Sequence, residues 1–226
     1  MAGSKVDLME AAPLRHLLSV PASVPASVPA SPAPGGEAGL PVLCFLHGYD
    51  EAAPMDIRRA LTLHGPLRAE SRPHVVDHFI VVAPQLPAAG DHWYRHGDAV
   101  RQIVTEVRER HGGDPMRTYL TGFSFGGNGV FDLALMQPDF WAALWAVDPT
   151  RYPQRDPGRP VWLSIGEIAR RRKDGFVRAL ELGNASATAA GDRLFLDQGK
   201  DHVGSATLAY QDERIYNWLL SKRLAA

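Results

Sequence analysis

The stretch that decides the fold is Thr118-Tyr-Leu-Thr-Gly-Phe-Ser-Phe-Gly-Gly127. Residues 118–121 are typical of a short buried strand, and a helix is predicted over residues 127–136, before Pro138. Between them, residues 122–126 match the pattern G-x-S-x-G. The glycines are needed there because strand and helix approach closely and the serine occupies a sharp, strained turn. The pattern predicts that Ser124 is a nucleophile lifted above the sheet.

Strand and helix signals alternate on both sides of this stretch. Apolar runs predict buried strands at residues 41–46, 79–83, 142–147, 161–165 and 194–196. Two amphipathic helices are predicted, one capped by Asp98 and ended by Gly112-Gly113, the other closing the chain with Ile215, Trp218 and Leu219 inward. This alternation predicts an α/β protein with a mostly parallel sheet and helices on both faces. The short connection 148–160 leaves no room for a cap domain.

The length of 226 residues fits one domain spanning residues 1–226. Residues 1–14 are expected to be a flexible N-terminus. Residues 20–38 are expected to form an exposed loop, because Val-Pro-Ala-Ser occurs three times in succession there and regularly spaced prolines prevent a helix.

Composition excludes several functional classes. The 24 Lys+Arg against 25 Asp+Glu give a net charge of -1, which offers no electrostatic footprint for nucleic acid. No apolar stretch approaches the ~20 residues of a membrane span. Asp7 and Glu10 interrupt the N-terminus, so no signal peptide is predicted and a cytoplasmic location is expected. The single cysteine, Cys44, lies in an apolar run and is expected to be a buried thiol.

A serine hydroxyl needs a base to take its proton. In folds with this motif the catalytic residues follow the chain order serine, acid, histidine. His202 is the only histidine after Ser124, and it lies in the polar stretch 199–204 between the last predicted strand and helix. We therefore expect His202 to be the base.

Acyl transfer also requires two N–H donors for the oxyanion of the tetrahedral intermediate. One donor is expected to be the backbone amide of Phe125, the residue after the nucleophile. The other is expected from Tyr49, because His47-Gly48-Tyr49 directly follows a buried strand. His47 itself is expected to support this loop through hydrogen bonds.

The acid that orients His202 has three candidates. Glu167 is the first carboxylate after the strand predicted at 161–165 and is preferred. Asp148 follows the preceding strand, from which a longer loop could reach the same histidine. Asp174 is the third, with capping of the next helix as its alternative role.

Aromatic residues near these positions are candidates for substrate binding. Trp93 follows the second buried strand at the carboxyl edge, where ligands bind in open α/β sheets. Phe123 precedes the nucleophile. Packing in the core is an equally good interpretation of such residues. Two histidine pairs have i, i+4 spacing, but neither lies in a convincing helix with a third ligand, so no metal and no cofactor are predicted; the pairs are His74 with His78 and His92 with His96.

The chain resembles bacterial α/β-hydrolases grouped as predicted peptidases or phospholipase/carboxylesterase-like esterases, relatives of polyhydroxybutyrate depolymerases and feruloyl esterases. The resemblance runs from Leu17 to the C-terminus. It implies a serine esterase in which Ser124 and His202 are nucleophile and base, with a small-molecule ester as substrate. The stretches that carry it are Pro41-Val-Leu-Cys-Phe-Leu-His-Gly48, Leu61-Thr-Leu-His-Gly-Pro66, Val82-Ala-Pro-Gln85 with Trp93, Asp114 to Gly127, Pro160-Val-Trp-Leu-Ser-Ile-Gly-Glu167, and His202 with Tyr216-Asn-Trp-Leu-Leu220.

The sequence departs from that family at one position. The family carries an aspartate where this chain has Ala169. Another carboxylate has therefore replaced it, or the enzyme works with a weaker dyad, or the site is degenerate. The alternatives to a carboxylesterase acting on short or small soluble esters are a hydrolase of small amides or peptides and a ligand-binding pseudo-hydrolase without turnover.

Overall fold

The computed structural model describes residues 5–10, 13–22, 39–166, 171–185 and 190–224. In these ranges, strands join into one nine-stranded sheet in the order β1-β2-β4-β3-β5-β6-β7-β9-β8. The strands from β3 to β9 are parallel to their neighbours, whereas β1 and β2 are antiparallel at one end. The strands are β1 (Val6–Met9), β2 (His16–Ser19), β3 (Leu40–Leu46), β4 (Ile80–Pro84), β5 (Gly113–Phe123), β6 (Ala143–Val147), β7 (Val161–Ile165), β8 (Gly183–Asn184) and β9 (Arg193–Asp197).

Helices cover both faces of the sheet. Side chains of β3 alternate between two hydrophobic clusters, Cys44 and Leu46 in one and Leu43 and Phe45 in the other, as the period of a strand requires. The first cluster includes residues of α2, α3 and α4, and the second includes residues of α1, α5 and α6. The helices are α1 (Ile57–Leu63), α2 (Gly97–His111), α3 (Phe125–Met136), α4 (Lys173–Leu180), α5 (His202–Gln211) and α6 (Glu213–Leu220), with short 3-10 helices at Arg72–His74 and Trp93–His96.

The mostly parallel, two-sided architecture predicted from the apolar runs is confirmed. The central strands are fully buried because helices pack on both of their faces, which is why they read as continuous apolar sequence. Cys44 is buried, as expected, and desolvation raises the pKa of its thiol.

Five local expectations are corrected by the structure. Residues 1–14 are not a flexible N-terminus throughout, because Val6–Met9 pairs with β2. The strand that leads to Ser124 begins at Gly113 rather than at residue 118, and the helix after it begins at Phe125 rather than at residue 127. His202 is the first residue of a helix and not part of a loop. Asp98 lies in the first turn of α2, whose N-cap is His96.

Two connections bear on access to the site. All of residues 148–160 are described and contain no helix, so the predicted absence of a cap between β6 and β7 is confirmed. Of the loop expected over 20–38, residues 23–38 lie outside the described residues. In the described ranges no helix has the length and apolarity to span a membrane.

Candidate active site

Ser124 lies in the turn between β5 and α3, at the carboxyl edge of the sheet. Its backbone has φ 56° and ψ −114°, a conformation that is strained for a residue with a side chain. The turn is held by the Ser124 N–H, which donates to the carbonyl of Val147 at 2.9 Å. The hydroxyl is therefore presented by a rigid backbone above the end of β5.

The glycines of the motif are explained by backbone contacts. A Cβ at Gly122 would overlap the carbonyl of Gly126. A Cβ at Gly126 would overlap the carbonyl of Leu46, at the end of β3. No side chain fits at either position, because α3 starts directly against the strands that carry it.

His202 meets the serine from the other side of the cleft. Its Nε2 lies 2.9 Å from Ser124 Oγ. The ring is held at the first turn of α5, whose N-cap Asp201 accepts the Gly204 N–H at 2.7 Å through its side chain. The structure thus brings together the two residues that the sequence assigned as nucleophile and base.

Asp148 contacts the other nitrogen of that ring. Its Oδ2 accepts a hydrogen bond from His202 Nδ1, and its Oδ1 accepts the Gly166 N–H at 2.7 Å. The carboxylate is fully buried, and the residue has a positive φ of 45°. With Nδ1–H directed at Asp148, Nε2 is left unprotonated toward Ser124, which is the tautomer a general base needs.

Of the three candidate acids, Asp148 is therefore the one that the structure places against His202. Glu167, which the sequence analysis preferred, and Ala169 lie outside the described residues. Asp174 lies in the first turn of α4 but does not cap it, because the N-cap of that helix is Arg172.

The loop after β3 runs beside the nucleophile. A Cβ built on Gly48 would lie 3.5 Å from Ser124 Cβ. The next residue, Tyr49, packs its ring edge-to-face on Phe125, with centroids 5.1 Å apart. Phe125 is the first residue of α3, where backbone N–H groups have no acceptor within the helix. The segments that carry both expected oxyanion donors therefore flank the serine.

His47 supports this loop through hydrogen bonds, the role expected for it. Its Nε2 accepts the Leu86 N–H at 3.0 Å, so the ring must donate from Nδ1 to the Gly48 carbonyl, at 2.6 Å. Desolvation lowers the pKa of His47 to about 4. The imidazole is thus neutral at pH 7 and fixes the direction of the chain at Gly48.

Two residues expected to line a substrate pocket do not do so. Trp93 is 1% exposed, and its Nε1 donates to the carbonyl of His47 at 3.1 Å, so it lies beneath the loop. Phe123 is 3% exposed, and its ring packs on His202, with centroids 4.6 Å apart. The packing role that the sequence left open applies to both, because each side chain contacts a neighbouring site residue.

A second carboxylate and imidazole lie near the serine and were not singled out from the sequence. Glu51 is buried, and its Oε1 lies 3.5 Å from His64 Nε2. Burial raises the pKa of Glu51 and lowers that of His64 to about 4. The sequence signal that could have found Glu51 was its position two residues after Tyr49, in the loop expected to supply an oxyanion donor.

The paired histidines engage other groups. His96 Nε2 lies 2.7 Å from Asp91 Oδ2, His92 stacks on Phe125, and His74 stacks on Tyr216. Among the residues that the structure describes, no group of three or more His, Cys, Asp and Glu side chains is placed to hold a metal ion.

Comparison with known proteins rests on structure alone, since no protein-family model and no curated protein sequence matches this chain. A thermostable esterase superimposes with a TM-score of 0.69 at 19% identity, over 98% of this chain and 63% of the esterase. The chain thus spans less than two thirds of that protein. The fluorophosphonate-binding serine hydrolase FphF of Staphylococcus aureus gives 0.67 at 14% identity, over 98% of this chain and 100% of FphF.

A third neighbour is the feruloyl esterase module from Clostridium thermocellum, complexed with sinapinate, with a TM-score of 0.67 at 12% identity over 99% of this chain and 90% of the module. At these identities the likeness concerns the fold. The chain has the α/β-hydrolase fold, as its sequence predicts.

Proposed function

We propose that this protein hydrolyses carboxylic esters through an acyl-enzyme at Ser124. The observation that carries the proposal is the continuous contact from Ser124 Oγ through His202 to Asp148, with Nε2 at 2.9 Å from the hydroxyl. A serine becomes a nucleophile when such a base accepts its proton. The strained backbone of Ser124 and the burial of Asp148 fix the positions of these two residues on either side of His202.

In the first half of the reaction, Ser124 Oγ bonds to the ester carbonyl carbon while His202 Nε2 takes the hydroxyl proton. The negative charge on the carbonyl oxygen is stabilised by the backbone amides of Phe125 and Tyr49. Asp148 stabilises the imidazolium that forms. When the carbon–oxygen bond to the alcohol breaks, His202 gives its proton to the leaving oxygen, and the acyl group stays on Ser124.

In the second half, a water molecule replaces the alcohol. His202 takes a proton from the water as its oxygen bonds to the acyl carbon, and then returns a proton to Ser124 Oγ as the acid is released. His202 mediates every proton transfer, between Ser124, the leaving alcohol and the water, so the cycle closes on the starting enzyme. No helix covers the site between β6 and β7, which favours small, soluble esters.

The test is hydrolysis of p-nitrophenyl acetate and butyrate by the wild type and by Ser124→Ala. We expect turnover in the wild type and its loss in the variant. Asn128→Ala is the matched control, because Asn128 also lies in the first turn of α3 but bonds to Thr150 and Arg151 instead of His202. This control should keep a measurable rate.

A fluorophosphonate provides an independent readout, since FphF is described as binding this reagent. Intact mass should show one adduct on the wild type and none on Ser124→Ala. Absence of both turnover and adduct in the wild type would refute the proposal and favour the binding-protein alternative. A labelled protein that cleaves p-nitroanilides and no ester would favour the amidase alternative.

A further inference from the structure

A cavity of about 590 Å³ lies beside the histidine of the proposed triad. Val203, the residue after His202, forms one wall, and His64 forms another. The His64 ring packs edge-to-face on Phe123, with centroids 4.9 Å apart, and Phe123 in turn packs on His202. The cavity is thus on the histidine side of the cleft, away from the turn that carries Phe125.

Its charged lining is predominantly basic. Arg68 and Arg72 both line the cavity, against the single carboxylate of Glu70. His64 adds no positive charge at pH 7, because burial, followed by the positive charge of Arg68, lowers its pKa to about 4. The wall therefore carries a net positive charge at neutral pH.

Arg68 is fixed in place from two directions. Its Nε lies 2.8 Å from Glu70 Oε2, and one terminal nitrogen donates to Thr207 Oγ1 at 2.7 Å. Thr207 belongs to α5, the helix that begins with His202. The guanidinium is thus tied to the helix that presents the base.

The chemistry decides which part of an ester meets this cavity. The general acid must reach the leaving oxygen, so the alcohol part of the substrate lies on the His202 side while the acyl part stays on Ser124. Apolar surface is also offered there, since Val203 is half exposed and Leu67 lines the cavity.

We infer that this cavity binds the alcohol part of the ester and that Arg68, assisted by Arg72, selects alcohols that carry a carboxylate on an apolar body. The inference rests on the proposed esterase function and names the substrate class for it. Glu70 competes with the substrate carboxylate for Arg68, so the selectivity is set by the balance of these two side chains.

The test compares two acetyl esters whose leaving phenols differ in charge, 4-acetoxybenzoate and its neutral methyl ester. Selectivity is the ratio of their kcat/KM values. Arg68→Gln should lower this ratio about fivefold, the size expected for loss of one partly exposed ion pair. Glu70→Gln should raise the ratio, and Arg68→Lys should keep most of it.

Arg110→Gln is the matched control, because Arg110 is an exposed arginine of α2 that does not line the cavity, and it should leave the ratio unchanged. Equal losses on both esters in Arg68→Gln, or an unchanged ratio in both Arg68→Gln and Glu70→Gln, would overturn the inference while esterase activity stands. A wild type with neither turnover nor a fluorophosphonate adduct would overturn both proposals.

Discussion

A hydrogen bond between Asp148 and His202 links the end of β6 to the start of α5. The Asp148 side chain is completely buried. β6 is the strand next to β5, which delivers Ser124, whereas the stretch containing Glu167 follows β7, one strand farther away. The positive φ of Asp148 turns its side chain back across the edge of the sheet. Its second oxygen is fixed by Gly166 N–H at the end of β7.

Replacing this acid should abolish most of the activity. Asp148→Asn removes the charge that stabilises the imidazolium and allows the amide to present a donor to Nδ1, which puts the ring in the wrong tautomer. We expect kcat for p-nitrophenyl acetate to fall on the order of 10⁴-fold. Glu167→Gln is the matched control and should retain near-wild-type kcat. If kcat fell strongly in Glu167→Gln and little in Asp148→Asn, Glu167 and not Asp148 would be the acid of the triad.

The close approach of α3 to β3 leads to a stability prediction. In Gly126→Ala the new methyl group would overlap the Leu46 carbonyl, which belongs to the backbone and cannot move aside. We expect the free energy of unfolding to fall by about 3 kcal/mol. Gly158→Ala is the control: it has a positive φ of 68° but nothing within 4 Å of the added Cβ, so only the backbone term of about 1 kcal/mol applies.

Urea unfolding monitored by tryptophan fluorescence measures both variants. Equal destabilisation of Gly126→Ala and Gly158→Ala would mean that the contact with Leu46 is relieved by a small shift of α3. In that case the glycine of the motif would not be required by packing.

The strands predicted from the sequence are those that coincide with apolar runs. Residues 161–165 were predicted with the observed bounds, because a strand covered by helices on both faces must be apolar throughout. The strand β1, at one edge of the sheet, and its neighbour β2 were missed, since Val6–Met9 and His16–Ser19 are short and mix polar with apolar residues. The place of β2 in the sheet also depends on its pairing with β4, which lies more than 60 residues later in the chain.

The residues of the candidate site likewise fall into those that the sequence could assign and those that it could not. Ser124 and His202 could be assigned because a local motif and the order of residues constrain them. The choice between Asp148 and Glu167 depends on which strand end reaches the histidine, a three-dimensional property. The burial of Trp93 likewise depends on a hydrogen bond to His47, 46 positions earlier, which no local pattern encodes.

Replacing Phe123 should lower the catalytic rate rather than the affinity for substrate. Its ring packs on His202 and is almost fully buried, so Phe123→Leu loosens the base without altering the surface that a substrate contacts. We expect kcat to fall about tenfold with little change in KM. Phe131→Leu, in the core of α3, is a control for general loss of packing. A raised KM with unchanged kcat would instead make Phe123 a substrate contact.

The neutral, buried His47 predicts acid sensitivity. Because desolvation lowers its pKa from the usual 6.5 to about 4, the unfolded chain binds a proton between these values that the folded chain does not. Its contribution to stability is therefore complete above pH 6.5 and is lost as the pH falls toward 4, by about 3 kcal/mol in all.

His47→Asn isolates this contribution from the other titrating groups. The variant lacks the ring that supports Gly48, so it should be less stable than the wild type at pH 7. Because it has nothing to protonate at this position, the difference in unfolding free energy between the two proteins should shrink as the pH is lowered. Urea unfolding of both proteins at pH 7, 6, 5 and 4 measures this difference. A difference that stays constant over this range would show that His47 takes up its proton in the folded state, and the hydrogen bond from Leu86 to Nε2 would then have to break in weak acid.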